Sequence, residues 1–326
     1  MMASTPFSKS NLEARNIASD CAAMEHRIEL LRNTDHVDPP ALLFPTKDQA
    51  DPATQYGIPE IRAEELSAEA LRSAIATDGA LIVRNMFPTT MASTMVTAID
   101  KVLDASENPK SRKNTSIERS AYYNPPEILE SVMPGPELGY SRGFHRSSGS
   151  AMCVESPTIA ESLLQLFEEH GLKEMIAEYL KEPPCVSVKK WVLRRSKLPV
   201  NEAGWHQDGA FMGTNINSIN MWIPLSRCGG DSGAPGMDVI PKRLHKVMSA
   251  DGAFFDWSVS TTHVADYFKD SPAISPIFEP GDAFFFDHLY LHRTQYRQDY
   301  TRLRYAIETW FFGSSSCPKN QIPLAW

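Results

Sequence analysis

The stretch Gly204-Trp205-His206-Gln207-Asp208-Gly209 sets an imidazole and a carboxylate two residues apart. On a strand, side chains at i and i+2 point to the same face, so His206 and Asp208 can reach one ion from one short piece of backbone. A neutral imidazole with a carboxylate suits a mid-series divalent metal. Two histidines and one carboxylate on one face of an octahedron form the non-haem Fe(II) site of oxygenases. Solvated loop residues explain the tripeptide alone more readily, so a second histidine has to decide.

Two candidates stand in Phe284-Phe285-Phe286-Asp287-His288-Leu289-Tyr290-Leu291-His292. Read as one strand, both share a face. His292 ends the apolar run and is followed by Arg293-Thr294-Gln295, which places it at an open mouth. His288 lies deeper, where a hydrogen-bonded structural histidine is the simpler reading. The pattern therefore favours His292.

Bulk properties bound the rest. The chain has 326 residues, 42% hydrophobic and 22% charged, the profile of a soluble globular protein with one large domain or two smaller ones. A net charge of −8 argues against general nucleic-acid binding. Cysteines 21, 153, 185, 228 and 317 are odd in number, widely spaced and lack C-x-x-C, which predicts reduced thiols in a cytoplasmic setting. No run of 18 apolar residues predicts a membrane span, and no basic flank with an apolar run predicts a secretory signal.

The front of the chain reads as helical. Ile17, Cys21, Met24, Ile28 and Leu31 form one stripe in a helix over 11–32, able to dock on a core or on a second subunit. Residues 33–60, with Pro39, Pro40, Pro45, Pro52 and Pro59, read as an extended connector. Helices are predicted over 66–77, 89–104 and 158–181, the last divided at Gly171 and stopped by Pro183-Pro184, with a strand at 80–83. Residues 105–150 read as long and irregular, with Lys110, Arg112, Lys113, Arg119, Arg142 and Arg146 giving local positive charge. Segment 107–119 suits a solvated loop. Segment 138–150, with Gly139 and Gly143 as hinges, suits a lid in which Arg142 or His145 contacts a polar or anionic substrate.

After residue 185 strands take over: 186–193, 219–225, 237–240, 274–278, 283–291 and 303–312. Short strands after a helical front predict a sandwich or jelly roll with helices outside.

With Asn220-Met221-Trp222-Ile223-Pro224-Leu225, Gly281-Asp282-Ala283-Phe284-Phe285-Phe286-Asp287, His292-Arg293-Thr294 and Arg304-Tyr305-Ala306-Ile307 added to the first stretch, the chain resembles the phytanoyl-CoA dioxygenase family of Fe(II)/2-oxoglutarate-dependent oxygenases. The likeness spans about residues 61–312, with Gly79 to Val83 as its opening segment. It implies a mainly β fold with flanking helices around a double-stranded β-helix (jelly roll, cupin-like) core. It divides the chain into an N-terminal helix and connector (1–60), the dioxygenase domain (61–315) and a C-terminal tail (316–326). It implies Fe(II) on His206, Asp208 and His292, with 2-oxoglutarate as co-substrate and O₂ as oxidant. Arg302 and Arg304 both follow His292 with strand parity, and the family motif favours Arg304 as the bidentate clamp for the distal carboxylate, with Thr294 as hydroxyl partner. Trp222 matches a tryptophan that packs on the co-substrate in some relatives, or else is a core aromatic. Pro241-Lys242-Arg243-Leu244-His245 departs from the usual Pro-Gly-Ser-His, which leaves His245 a structural reading. Halogenating relatives typically carry Gly or Ala in place of the carboxylate, so Asp208 implies hydroxylation of a small molecule with release of succinate and CO₂. Desaturation, epoxidation and ring closure use the same triad. A non-catalytic metal-binding jelly roll and a cupin-type metalloenzyme without 2-oxoglutarate are the competing classes.

Overall fold

Runs rich in β-branched and aromatic residues favour strands because they pack well on a pleated, covered surface. The computed structural model describes residues 9–41, 56–107 and 121–326. Its strands are β1 (Glu60–Arg62), β2 (Ala80–Arg84), β3 (Ser150–Met152), β4 (Pro184–Arg195), β5 (Ser218–Pro224), β6 (Met237–Val239), β7 (Ala283–Phe286), β8 (His292–Thr294), β9 (Tyr305–Gly313) and β10 (Pro323–Ala325). Among the described residues, one sheet runs β1-β2-β7-β5-β9-β4-β10, with β3 on β4. A smaller layer pairs β6 with β8 and is extended by bridges His206–His292, Trp205–Val259 and Val239–Ile274.

From β4 to β9 the chain passes back and forth between the layers, staying in the small one only from β6 to Ile274. β4, β5, β7 and β9 lie in the large sheet; the segment at His206, β6, Ile274 and β8 lie in the small one. That alternation is a double-stranded β-helix. Both faces of the large sheet are covered, so its strands read as continuous apolar runs. In β7, Ala283 and Phe285 face the helices, whereas Phe284 and Phe286 face the interior between the sheets.

Helices Ala68–Thr77, Thr89–Glu107, Pro157–Glu169 and Leu172–Leu180 form the outer layer. Gly171 at φ +66 separates the last two, where the sequence predicts a break. The predicted helix over 11–32 is split. Asn16 caps the second part, Ile17–Arg32, by accepting from the Ser19 amide at 3.1 Å. Met24 and Ile28 of that helix are fully buried in the main core, packed against Pro157–Glu169 and β10. The helix therefore docks on its own chain, and the C-terminal residues add a strand to the sheet rather than trailing off. Ile28→Ala should cost about 2–5 kcal/mol, as burying and then deleting an isoleucine side chain leaves a cavity. Urea unfolding followed by circular dichroism checks this; a change below about 0.5 kcal/mol would mean the helix does not dock.

Two expectations change. Residues 137–147 are a helix, not irregular chain, and Gly139 and Gly143 lie inside it rather than at hinges. Residues 283–292 are two strands in different layers, not one. The part of the connector at 42–55 and the basic cluster Lys110, Arg112, Lys113 and Arg119 lie outside the described residues. No helix among the described residues is long and apolar enough to cross a membrane.

Candidate metal centre

The backbone brings the two histidines together directly. His206 N donates to His292 O at 2.9 Å and His292 N returns the bond to His206 O at 3.0 Å. Directly opposed residues on antiparallel segments carry neighbouring side chains, and the two rings lie 4.4 Å apart. Gly204 at φ +72 turns the chain into this segment, a conformation that disfavours any side chain. Asp208 does not sit on the same strand. It caps the short helix Gly209–Met212 with its own backbone helical, so a turn rather than strand parity swings its carboxylate back to the histidines. Gly209 allows this: a Cβ there would lie 3.0 Å from the His288 carbonyl, which accepts from the Gly209 amide.

His206, Asp208 and His292 present ligand atoms all within 4.8 Å of one another, the one such His/Cys/Asp/Glu group among the described residues. Asp208 Oδ2 lies 3.5 Å from His292 Nε2. Each histidine Nδ1 meets a backbone carbonyl, Gly204 O at 3.3 Å and Tyr290 O at 3.0 Å. That pairing makes Nδ1 the protonated nitrogen and leaves Nε2 free to bind a cation. Burial, then the neighbouring His292, depresses His206 to about 3, so its imidazole is neutral at physiological pH as metal binding requires. Burial opposes ionisation of Asp208, but Lys190 and the two histidines outweigh it and hold the carboxyl below its usual value.

The other sequence candidates divide. Arg304, Thr294 and Trp222 line the same cavity of about 680 Å³ as the triad. Arg304 is 4% exposed, and its Nη1 donates to Gly236 O at 3.0 Å. Its Nε has no hydrogen-bond partner, and its guanidinium lies 5.9 Å from the Trp222 ring. Burial and the nearby Arg194 pull it down to about 10. A buried cation whose donors are unfilled is costly unless an anion arrives. Arg302 is exposed and does not line the cavity. His245 is also exposed and away from it.

The two residues of the lid expectation are placed differently. Tyr140, Ser141, Phe144 and His145 of helix Glu137–Ser147 line the cavity, but Arg142 does not. Arg142 Nε donates to Glu155 Oε1 at 2.6 Å in a nearly buried pair, so its charge is already matched and it is unavailable to a substrate. His145 is buried and hydrogen-bonded to Ser150 Oγ at 3.0 Å. Burial, then Arg194, lowers His145 to about 4. A histidine depressed in the fold keeps full stability above its unfolded value of 6.5 and loses it as pH falls toward 4, because the unfolded chain takes up the proton first. His145→Asn should remove a loss on the order of 3 kcal/mol between those pH values. Denaturant melts at pH 7 and pH 4.5 test it; equal pH slopes in both proteins would refute it.

His288 turns away from the triad, with Nδ1 on Ser218 Oγ at 3.0 Å. Asp287 Oδ1 accepts from the Leu289 amide at 3.0 Å, a turn that ends β7 and lets the chain change layers before His292.

Lys190, Arg194 and Glu308 line the cavity and were missed in the sequence. A bulge in β4 between Val186 and Trp191 shifts the alternation and aims Lys190 inward. Ser187 Oγ takes the Lys190 amide at 3.0 Å. The readable signal was Glu308, a single charge inside the apolar run Ala306 to Phe312.

No protein-family model matches the sequence, and no curated protein does. Among solved structures, the chain is similar to EctD from S. alaskensis with 2-oxoglutarate and 5-hydroxyectoine. That match has a TM-score of 0.52 and 14% identity over 84% of this chain and 87% of that one. A second EctD structure, with bound Fe, gives 0.47 and 12% over 86% and 83%. The carbocyclase SnoK from nogalamycin biosynthesis gives 0.45 and 15% over 77% and 86%. The first likeness shows a shared jelly-roll fold.

Proposed function

We propose that this chain is an Fe(II)- and 2-oxoglutarate-dependent oxygenase that oxidises a small molecule. One observation carries the reading. A buried His206–Asp208–His292 cluster opens on the same cavity as Arg304, a buried guanidinium with an unfilled donor. The shared fold with EctD, solved with 2-oxoglutarate, supports it. The order of motifs from Trp205 to Ile307 supports assignment to the phytanoyl-CoA dioxygenase family. Five free cysteines suit a reducing cytoplasm.

The donor set fits Fe(II): two neutral imidazoles and one ionised carboxylate. His206 and His292 would bind through Nε2 and Asp208 through its carboxylate. When bound, the iron with 2-oxoglutarate and O₂ supplies oxidative decarboxylation to succinate and CO₂ coupled to oxidation of the substrate. Arg304 holds the distal carboxylate of 2-oxoglutarate, with Thr294 as hydroxyl partner and Trp222 packing beside it. Arg304 stays protonated well above neutrality, so its grip is constant over the working pH range. The aromatic residues of the cavity limit water near the reacting carbon. The carboxylate of Asp208 favours hydroxylation as the outcome.

Succinate formation tests the reading. The purified chain with Fe(II), ascorbate and O₂ should convert 2-oxoglutarate slowly to succinate without substrate, and a chelator should stop it. Metal binding without any 2-oxoglutarate turnover or binding would instead identify a non-catalytic metal protein or a cupin-type enzyme.

A further inference from the structure

Beside an aromatic wall of the cavity stands Lys190, and neither the lysine nor the wall is explained by the triad or by Arg304. Lys190 Nζ lies 3.0 Å from Asp208 Oδ1 and 3.2 Å from Glu308 Oε1. Glu308 is already shared. Arg194 donates to its other oxygen at 2.8 Å, and Trp310 Nε1 donates to Oε1 at 3.3 Å.

The charge balance changes once the site is loaded. A divalent ion takes Asp208 as a ligand. The ion, Asp208, Arg304 and a doubly charged co-substrate then cancel. Lys190 and Arg194 are left with one carboxylate between them, Glu308. One positive charge therefore faces the space that remains, about where Lys190 meets the triad. Two further cations line the wall: Lys197 donates to a backbone carbonyl, Arg146 O, at 2.6 Å, and Lys189 pairs with Glu137.

An aromatic path leads from that charge to the metal ligands. Lys190 Nζ lies 4.9 Å from the centre of the Phe211 ring. Phe211 lies 5.2 Å from Trp257, which stacks on Phe255 at 4.6 Å and 9°. Trp257 meets the His206 ring edge-on at 5.2 Å. All three aromatic residues line the cavity, and Phe255 is 41% exposed. Phe255 and Trp257 belong to none of the buried cores. Flat apolar surface left facing a cavity suits a flat ligand.

We propose that the substrate is a small monoanion with a carboxylate attached to a planar, unsaturated or aromatic body. The carboxylate seats on Lys190, and the body lies along Phe211, Trp257 and Phe255 with its oxidised carbon beside the His206 edge of the triad. A neutral analogue leaves Lys190 short of an anion, and an amine opposes it. This rests on the oxygenase reading, because the free charge appears only once ion and co-substrate are in place.

The test uses the full chain loaded with Mn(II) and 2-oxoglutarate without oxygen. The probes are benzoate, 3-phenylpropionate and indole-3-acetate, their primary amides and amines, and acetate. Calorimetry and tryptophan fluorescence read binding. At least one aromatic acid should bind tenfold or more tighter than its amide, with its amine and acetate weaker still. Lys190→Met should bring the acid down to the level of the amide, and Lys190→Arg should keep most of the preference. Trp257→Ala should weaken the aromatic acids while Mn(II) and 2-oxoglutarate binding stay as they were. Lys190 touches Asp208, so the acid-to-amide ratio is the readout, taken at saturating Mn(II) for each variant. Equal binding of acid and amide, a tighter amine, or no acid of the panel binding at millimolar concentration overturns the inference while 2-oxoglutarate still binds. Failure of 2-oxoglutarate itself to bind overturns it together with the oxygenase reading.

Discussion

Asp208→Ala is expected to lower Mn(II) affinity at least a hundredfold and to abolish succinate formation while the fold survives. Losing a mere partner of a metal ligand costs about 10–100-fold, and losing the one anionic ligand should exceed that. The fold survives because the His206–His292 backbone pair and the sheet do not use the Asp208 side chain, although Lys190 and Arg194 are then left sharing Glu308. His206→Ala and His292→Ala should behave alike, since their alignment comes from reciprocal backbone hydrogen bonds that alanine retains. His288→Ala should leave Mn(II) affinity within a few-fold, because its ring bonds Ser218 instead. Calorimetric titration with Mn(II), beside circular dichroism, reads all four. Normal metal affinity in Asp208→Ala would remove the triad as the metal site.

Arg304→Ala is expected to weaken 2-oxoglutarate binding by on the order of 2–5 kcal/mol, tens- to thousands-fold, with Mn(II) affinity almost unchanged. The guanidinium is buried, carries an unfilled Nε and donates through Nη1 to Gly236 O, so its strongest available partner is an incoming carboxylate. Arg302→Ala should do far less, because that side chain is exposed and off the cavity. Titrating 2-oxoglutarate into the Mn(II)-loaded variants separates them. A larger loss in Arg302→Ala would move the clamp there.

Much of the site was readable because its chemistry is concentrated in unusual residues. A histidine and an aspartate two apart, a histidine followed by polar residues after an apolar run, and an arginine just ahead of β9 mark positions that a core would not choose. The reasons attached to them were less accurate. Asp208 reaches the histidines by a turn, and His292 begins a strand rather than ending one. The turn at Asp287 could have been read, because an aspartate whose side chain caps its own turn is a common way to stop a strand. Lys190 could not. Its inward direction depends on a bulge that sets five residue steps of β4 against two of β9, and such an odd shift in alternation has no signature in a run such as Val186 to Leu193. Arg142 was misassigned because a loop arginine near a cavity looks free until its partner is known, and Glu155 lies in a separate 3-10 turn. Helix Glu137–Ser147 was hidden by two glycines and by an inverted pattern, with Tyr140 and Phe144 exposed and His145 buried.

The mutual backbone pairing of His206 and His292 also bears on how the metal would come and go. Their main chains are tied to one another by two backbone hydrogen bonds whose atoms take no part in holding a metal. Little of the binding free energy then has to be spent on ordering the chain, and stripping the ion does not unzip the barrel. Such a protein can lose and regain its metal repeatedly as a reversible equilibrium, and its thermal midpoint rises with free metal only by simple mass action. A site organised by the metal itself would behave otherwise, collapsing on chelation and having to refold before each reloading.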